Sequence, residues 1–263
     1  MIVVKYGGHV LESAADNDAI VQTLANFHSK GGQVVVVHGG GPAVDQELAI
    51  HNIPTTMASG YRVTTREVMQ IVQQTLSGSV LRNLTNQFIA NGANAVGLST
   101  GDGNTLRAKP FKPMVGGVEI DAGLVGEAAS VDGTFLRLLL DNGYLPVISP
   151  VSVSAQGVAM NINGDIATGS IAGALSAEEV IFITDVPGIF RNWPVPSSLI
   201  TEITLSELQT LAPTFADGMA PKVKAVITAL TSGARRARVI DGRSISNLND
   251  ALVGKGGTVV IAQ

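Results

Sequence analysis

Four side chains could handle charge at defined places in this chain: Lys5, Lys222, Asp165 and Arg62. Lys5 follows the apolar run Ile2-Val3-Val4, which puts its ammonium at the edge of a buried strand, unless it simply snorkels to the surface. Lys222 comes just after Pro221, a residue suited to opening a helix. A cation near a helix N-terminus opposes the dipole, so it makes more sense with an anion to meet. Asp165 opens another helix after Gly164, as an ordinary first-turn carboxylate or as a charged member of a site. Arg62 carries a planar fork suited to a carboxylate, unless it is a surface arginine ahead of the next helix.

Glycine turns lie beside these groups. Lys5 runs through Tyr6 into Gly7-Gly8, and Val34-Val35-Val36-Val37-His38 runs into Gly39-Gly40-Gly41-Pro42. Glycine lets a backbone approach a ligand closely, and a strand, glycine turn and helix start together form a natural anion site. The same pattern also fits a tight turn with no ligand. Asp185-Val186-Pro187-Gly188 makes a third turn after an apolar strand. Neither glycine turn matches GxxxxGK[ST] or GxGxxG, which excludes a P-loop and a dinucleotide fingerprint. Two glycine turns and a lysine suggest two phosphate-handling points, one for each end of a transferred phosphoryl group.

Such groups meet at the carboxyl edge of a parallel sheet, where open α/β folds bind ligands. The chain supplies one. Apolar runs at residues 2–4, 34–37, 95–99, 145–149, 180–184, 237–240 and 258–262 read as strands, mostly buried on both faces. Helices are expected near 15–30, from Pro42 onward, 134–141, 164–175, 205–211, 221–231 and 247–252, with Val44, Leu48 and Ile50 as the apolar face of the second. Residues 65–91 hold the longest helical pattern, with Val68, Val72, Leu76, Val80, Leu84 and Phe88 in an i, i+4 row that is core or subunit interface. The glycine-rich stretch 100–132 reads as hairpins at one sheet edge. The expected fold is a three-layer αβα arrangement around a central, mainly parallel sheet. A soft domain boundary falls near Leu175, giving units 1–175 and 176–263.

Bulk composition narrows the chemistry. The chain has no cysteine, which excludes disulfides, thiolate nucleophiles and cysteine-held zinc, and its four histidines show no metal-ligand spacing. A net charge of −4 without a basic run gives no reason to expect nucleic acid or an acidic membrane surface. No apolar run approaches the roughly 18 residues of a spanning helix, and the start is too soon polar for a signal peptide. A cytoplasmic protein is the expectation.

Six blocks, in order, carry a resemblance: Val4-Lys5-Tyr6-Gly7-Gly8, Val37-His38-Gly39-Gly40-Gly41-Pro42, Gly60-Tyr61-Arg62-Val63-Thr64, Asn161-Ile162-Asn163-Gly164-Asp165, Thr184-Asp185-Val186-Pro187-Gly188-Ile189 and Gly218-Met219-Ala220-Pro221-Lys222-Val223. Together they resemble the amino acid kinase family, whose fold is carbamate-kinase-like. They are most similar to its members that phosphorylate the side-chain carboxylate of N-acetyl-L-glutamate in arginine biosynthesis. The resemblance implies that Lys5 and Lys222 stabilise the moving γ-phosphoryl group and that Asp165 holds both lysines. It implies Gly8, Gly40 and Gly41 amides along the path, with Arg62 and Asn161 gripping the acceptor. ATP would be cradled by Asp185, Val186, Pro187, Gly188, Ile189, Phe190, Thr214, Phe215 and Ala216, and would carry the Mg2+. Residues 1–175 would bind the acceptor and dimerise, and 176–263 would bind ATP, in a cytoplasmic homodimer.

This chain departs from the family pattern at His9, Tyr61 and Gly164, and opening directly on a strand looks like the arginine-insensitive dimeric type. Sister kinases, such as those acting on carrier-linked aminoadipate or glutamate, and a silent sensor of the same fold are the alternatives; a dehydrogenase fits poorly without GxGxxG. The trio Lys5, Asp165 and Lys222 argues against a pure binder.

Overall fold

The computed structural model describes residues 1–7, 14–215 and 219–262. An eight-stranded sheet runs through it in the order Glu202–Thr204, Thr258–Ile261, Arg236–Asp241, Glu179–Thr184, Ile2–Tyr6, Val34–His38, Leu145–Ser149, Ala95–Ser99. Neighbours are parallel except Arg236–Asp241 against Thr258–Ile261, which is antiparallel. The long valine run makes the centre. Val34 to Val37 are all fully buried, and alternate side chains enter different cores. Val35 and Val37 join Val3, Val180 and Phe182 beneath the Gly164–Ala174 and Met219–Thr231 helices. Val34 and Val36 join Val4, Ile181 and Ile183 on the other face, with Ile20 and Leu24 of Ala14–Ser29 and Leu84 and Phe88 of Leu81–Ala90. Helices on both faces make the expected three layers.

Strands from residues 1–175 and from 176–263 form the two halves of this sheet, joined where Ile2–Tyr6 pairs with Glu179–Thr184. Because the joining strands are central and parallel, their carboxyl ends bring Lys5, Gly39 and Asp185 to one edge.

Three expectations need correction. The 100–132 stretch does not lie at the edge of the main sheet. Its strands Leu106–Pro110 and Val125–Val131 close a small barrel with Val151–Ser154 and Ala159–Ile162, two strands not expected from the sequence. Residues 65–91 are not one α-helix but Arg66–Val72, a π-helical Gln73–Val80, and Leu81–Ala90. Their apolar row is buried within this single chain, Val80 alone being only partly buried, so it serves the chain's own core. Lastly, Ile50 is 64% exposed, and the Gly41–Ile50 helix packs through Val44 and Leu48 alone.

The π segment has a location that matters. It lies over the glycine turn: a Cβ on Gly40 would come within 2.7 Å of Leu76 Cδ2, and Gly40 has φ +139°. π-turns recur at functional sites, and this one closes down on the turn that the sequence singles out.

Candidate active site

Lys5 sits within its strand rather than one residue beyond it, opposite Val37 on one side and Phe182 on the other. It faces the Gly164–Ala174 helix, where its Nζ lies 2.9 Å from Asp165 Oδ1. Both side chains are about 15% exposed, so the pair is largely shielded from water. The alternative of Asp165 as a helix cap is answered by Asn163. Its side-chain oxygen accepts from the amides of Asp165 and Ile166, at 2.9 and 3.2 Å, leaving the Asp165 carboxylate to Lys5.

Glycines bring three loops together around this pair. A Cβ on Gly7 would stand 2.8 Å from Lys5 Nζ, so glycine leaves the ammonium room to lie against the backbone beside Asp165. Gly39 donates to the Tyr6 carbonyl at 2.7 Å, and a Cβ on Gly39 would touch Gly7 Cα at 3.5 Å. Gly164 lies against the His38 carbonyl, 3.7 Å from where its own Cβ would be. The Lys5 turn, the Gly39–Gly41 turn and the Asp165 helix start therefore converge. The amides of Gly40 and Gly41 open the Gly41–Ile50 helix, whose N-terminus favours an anion.

His38 supports this turn from inside. Burial pushes its pKa down to about 4, so the ring is neutral at pH 7. Nδ1 lies 2.6 Å from the Gly39 carbonyl, which can only accept, so Nδ1 carries the proton.

Arg62 stands on the far side of the same turn. Its guanidinium donates to Asp45 at 2.6 Å and to the Gly41 carbonyl at 3.3 Å, and its side chain is 10% exposed. The Arg62 hydrogen bond holds the Asp45 carboxyl below the usual range. Asn161, from the barrel strand Ala159–Ile162, donates to Thr64 Oγ1 at 3.1 Å, and Thr64 donates in turn to the Arg62 carbonyl. The barrel thus sets the Arg62 segment. Asp45 was missed by sequence reasoning; its place one turn beyond Gly41 on a helix aimed at Arg62 was the available signal.

Lys222 occupies the first turn of the Met219–Thr231 helix and lies 3.9 Å from Asp185 Oδ1. With Asp185, Val186, Phe190, Thr214 and Phe215 it lines a cleft of about 640 Å³. Arg191, Asn192, Trp193 and Met219 also line it, and the sequence reading had not included them. Trp193 packs edge-on against Phe190, centroids 4.9 Å apart, and is 61% exposed. Pro187 is exposed, whereas Gly188 and Ile189 are buried, Ile189 donating its amide to Thr258 Oγ1 and packing in the main core. Gly8, His9 and Ala216 lie outside the described residues. Among the described residues no helix is long and apolar enough to cross a membrane.

Comparison with known proteins places the whole chain among relatives. The model of the amino acid kinase family matches residues 1–241. An acetylglutamate kinase from Corynebacterium urealyticum is 38% identical over 257 residues, covering 98% of this chain and 84% of that protein. Among solved structures, a carbamate kinase from Giardia lamblia bound to AMP-PNP superposes with TM-score 0.71 at 23% identity, covering 100% of this chain and 98% of that one. An N-acetylglutamate synthase from Neisseria gonorrhoeae, complexed with coenzyme A and N-acetyl-glutamate, gives TM-score 0.83 at 23% identity; this chain, matched over its full length, spans 59% of that protein.

Proposed function

The chain belongs to the amino acid kinase family, and from that premise we propose that it transfers the γ-phosphoryl group of ATP to the side-chain carboxylate of N-acetyl-L-glutamate. The product is N-acetyl-L-glutamyl 5-phosphate, made in the second step of arginine biosynthesis. The observation that carries this reading is the Lys5–Asp165 pair, seated against two glycine turns at a sheet edge.

Each group has a physical task. The acceptor carboxylate is ionised at neutral pH, so no general base is needed. Phosphoryl transfer then depends on positioning and on neutralising the charge of the three equatorial oxygens. Lys5 supplies positive charge at the acceptor side and Lys222 at the nucleotide side. Asp165 fixes the Lys5 ammonium rather than taking a proton. The Gly40 and Gly41 amides donate to the phosphoryl oxygens, as Gly8 would across the turn. Arg62, held by Asp45 beside Gly41, binds the acceptor's α-carboxylate, and Asn161 supports it. The cleft lined by Asp185, Val186, Phe190, Thr214 and Phe215 has room for a nucleotide, with Phe190 and Trp193 as apolar surface for the base. Pro187, Gly188 and Ile189 shape that turn from behind, and the family resemblance assigns Ala216 to the same nucleotide segment. Magnesium would arrive on the ATP phosphates, where this small cation keeps most of its waters. In this reading residues 1–175 bind acceptor and form the dimer contact, residues 176–263 bind ATP, and the enzyme is a cytoplasmic homodimer.

Hydroxylamine trapping tests the substrate. With ATP and magnesium, hydroxamate should form from N-acetylglutamate and not from glutamate or N-acetylaspartate. Turnover with another acid but none with N-acetylglutamate would refute the assignment.

A further inference from the structure

Tyr61 and Arg62 form a two-residue strand, opposite Ala58 and Met57 respectively. Successive strand residues point to opposite faces. Arg62 goes toward Asp45 and Gly41, whereas Tyr61 packs its ring against Phe111, centroids 4.9 Å apart. These two aromatics line a groove of about 440 Å³ with the Val125–Val131 strand and the Gly164–Ala174 and Met219–Thr231 helices. Lys224 sits at their end of it. Its Nζ is 3.4 Å from the Tyr61 hydroxyl, 5.1 Å from the Phe111 ring centroid and 6.0 Å from that of Tyr61.

The helix repeats this division of faces. Lys222 and Lys224 are two positions apart, about 200° around the axis, so one faces the nucleotide cleft while the other reaches the aromatic pair. The phosphoryl transfer uses neither Tyr61 nor Lys224. Yet the two join, back to back, the strand that carries Arg62 and the helix that carries Lys222. The Lys224 cation is attracted to the Phe111 ring, and the Tyr61 hydroxyl accepts its hydrogen bond.

We propose that Lys224, held on Tyr61 and Phe111, is a positioning residue that couples acceptor binding at Arg62 to nucleotide binding at Lys222. This rests on the acceptor reading above. When acceptor fixes the Arg62 strand, the rings hold the Lys224 helix, and Lys222 is set for the nucleotide. Because coupling between two binding equilibria is reciprocal, a nucleotide must tighten acceptor binding by the same factor.

The test is the dissociation constant of N-acetylglutamate, measured by calorimetry with and without a saturating non-hydrolysable ATP analogue. In the wild type the analogue should tighten it by roughly fivefold or more, at the lower end of typical coupling. Lys224→Met, which keeps the aliphatic stem and loses the charge, should bring that ratio close to one. Lys224→Arg should restore it, since guanidinium also stacks on aromatic faces. Tyr61→Phe should lie between, keeping the ring and losing the hydroxyl. A wild type that binds N-acetylglutamate, with the ratio unmoved in a folded Lys224→Met, would overturn the coupling role alone. A wild type that does not bind N-acetylglutamate would overturn the coupling and the acceptor reading together.

Discussion

Asp165 and His38 show how single residues set this site. Asp165 neutralises a lysine that is largely shielded from water, and replacing it leaves that ammonium without its carboxylate. Asp165→Asn should lower kcat by roughly 10²-fold, the scale for losing one preorganised electrostatic group. The KM for acceptor should move less, as steady-state kinetics would show. His38 predicts a pH effect on stability. Its folded pKa of about 4 lies below the ordinary histidine value of 6.5, so the unfolded chain binds the extra proton first. The contribution is complete above pH 6.5 and is lost as pH falls toward 4. From pH 7 to pH 5 this amounts to about 2 kcal/mol. Urea denaturation at the two pH values should show that loss, and His38→Asn should shrink it. At this scale the sequence was partly legible. Lys5, Asp165 and Lys222 stood out, but Asp165 read equally well as a cap, because any polar residue at a helix start does. Asn163 resolves it by taking the cap.

At the scale of elements, the Gly39–Gly41 turn works because a π-helical segment presses on it. Gly40 combines a left-handed φ with a Cβ position 2.7 Å from Leu76, while a Cβ on Gly41 would meet nothing within 4 Å. Gly40→Ala should therefore destabilise the fold by about 1–3 kcal/mol. Gly41→Ala should stay within about 0.5 kcal/mol, as for an unencumbered substitution. Thermal unfolding of the two variants separates them. Continuous runs such as Val34 to Val37 made the parallel strands legible, since burial on both faces leaves no polar alternation. The π segment was hidden because its apolar residues keep the i, i+4 spacing of an α-helix. The barrel was hidden for a different reason: short mixed strands such as Ala159–Ile162 depend not only on the neighbouring Val151–Ser154 but on Val125–Val131, far back along the chain.

Across the whole molecule, one sheet carries Lys5, Gly39 and Asp185 to a shared edge, and its mainly parallel order follows from the alternation of strands and helices. Trp193, the one tryptophan in the chain, lies on the cleft lined by Asp185 and Lys222, the proposed nucleotide site. Its fluorescence should change on titration with ATP and not with N-acetylglutamate alone; a signal silent to ATP would move the nucleotide elsewhere. In the proposed reaction the phosphoryl group goes to a carboxylate oxygen. The direct measurement uses N-acetylglutamate labelled with 18O in its side-chain carboxylate, with ATP, magnesium and hydroxylamine, followed by 31P NMR of the released phosphate. Hydroxylamine attacks the acyl carbon, so phosphate leaves with the oxygen that attacked it. Each phosphate should therefore carry one 18O. Unlabelled phosphate would mean that water, not the carboxylate, received the phosphoryl group, and would contradict the account.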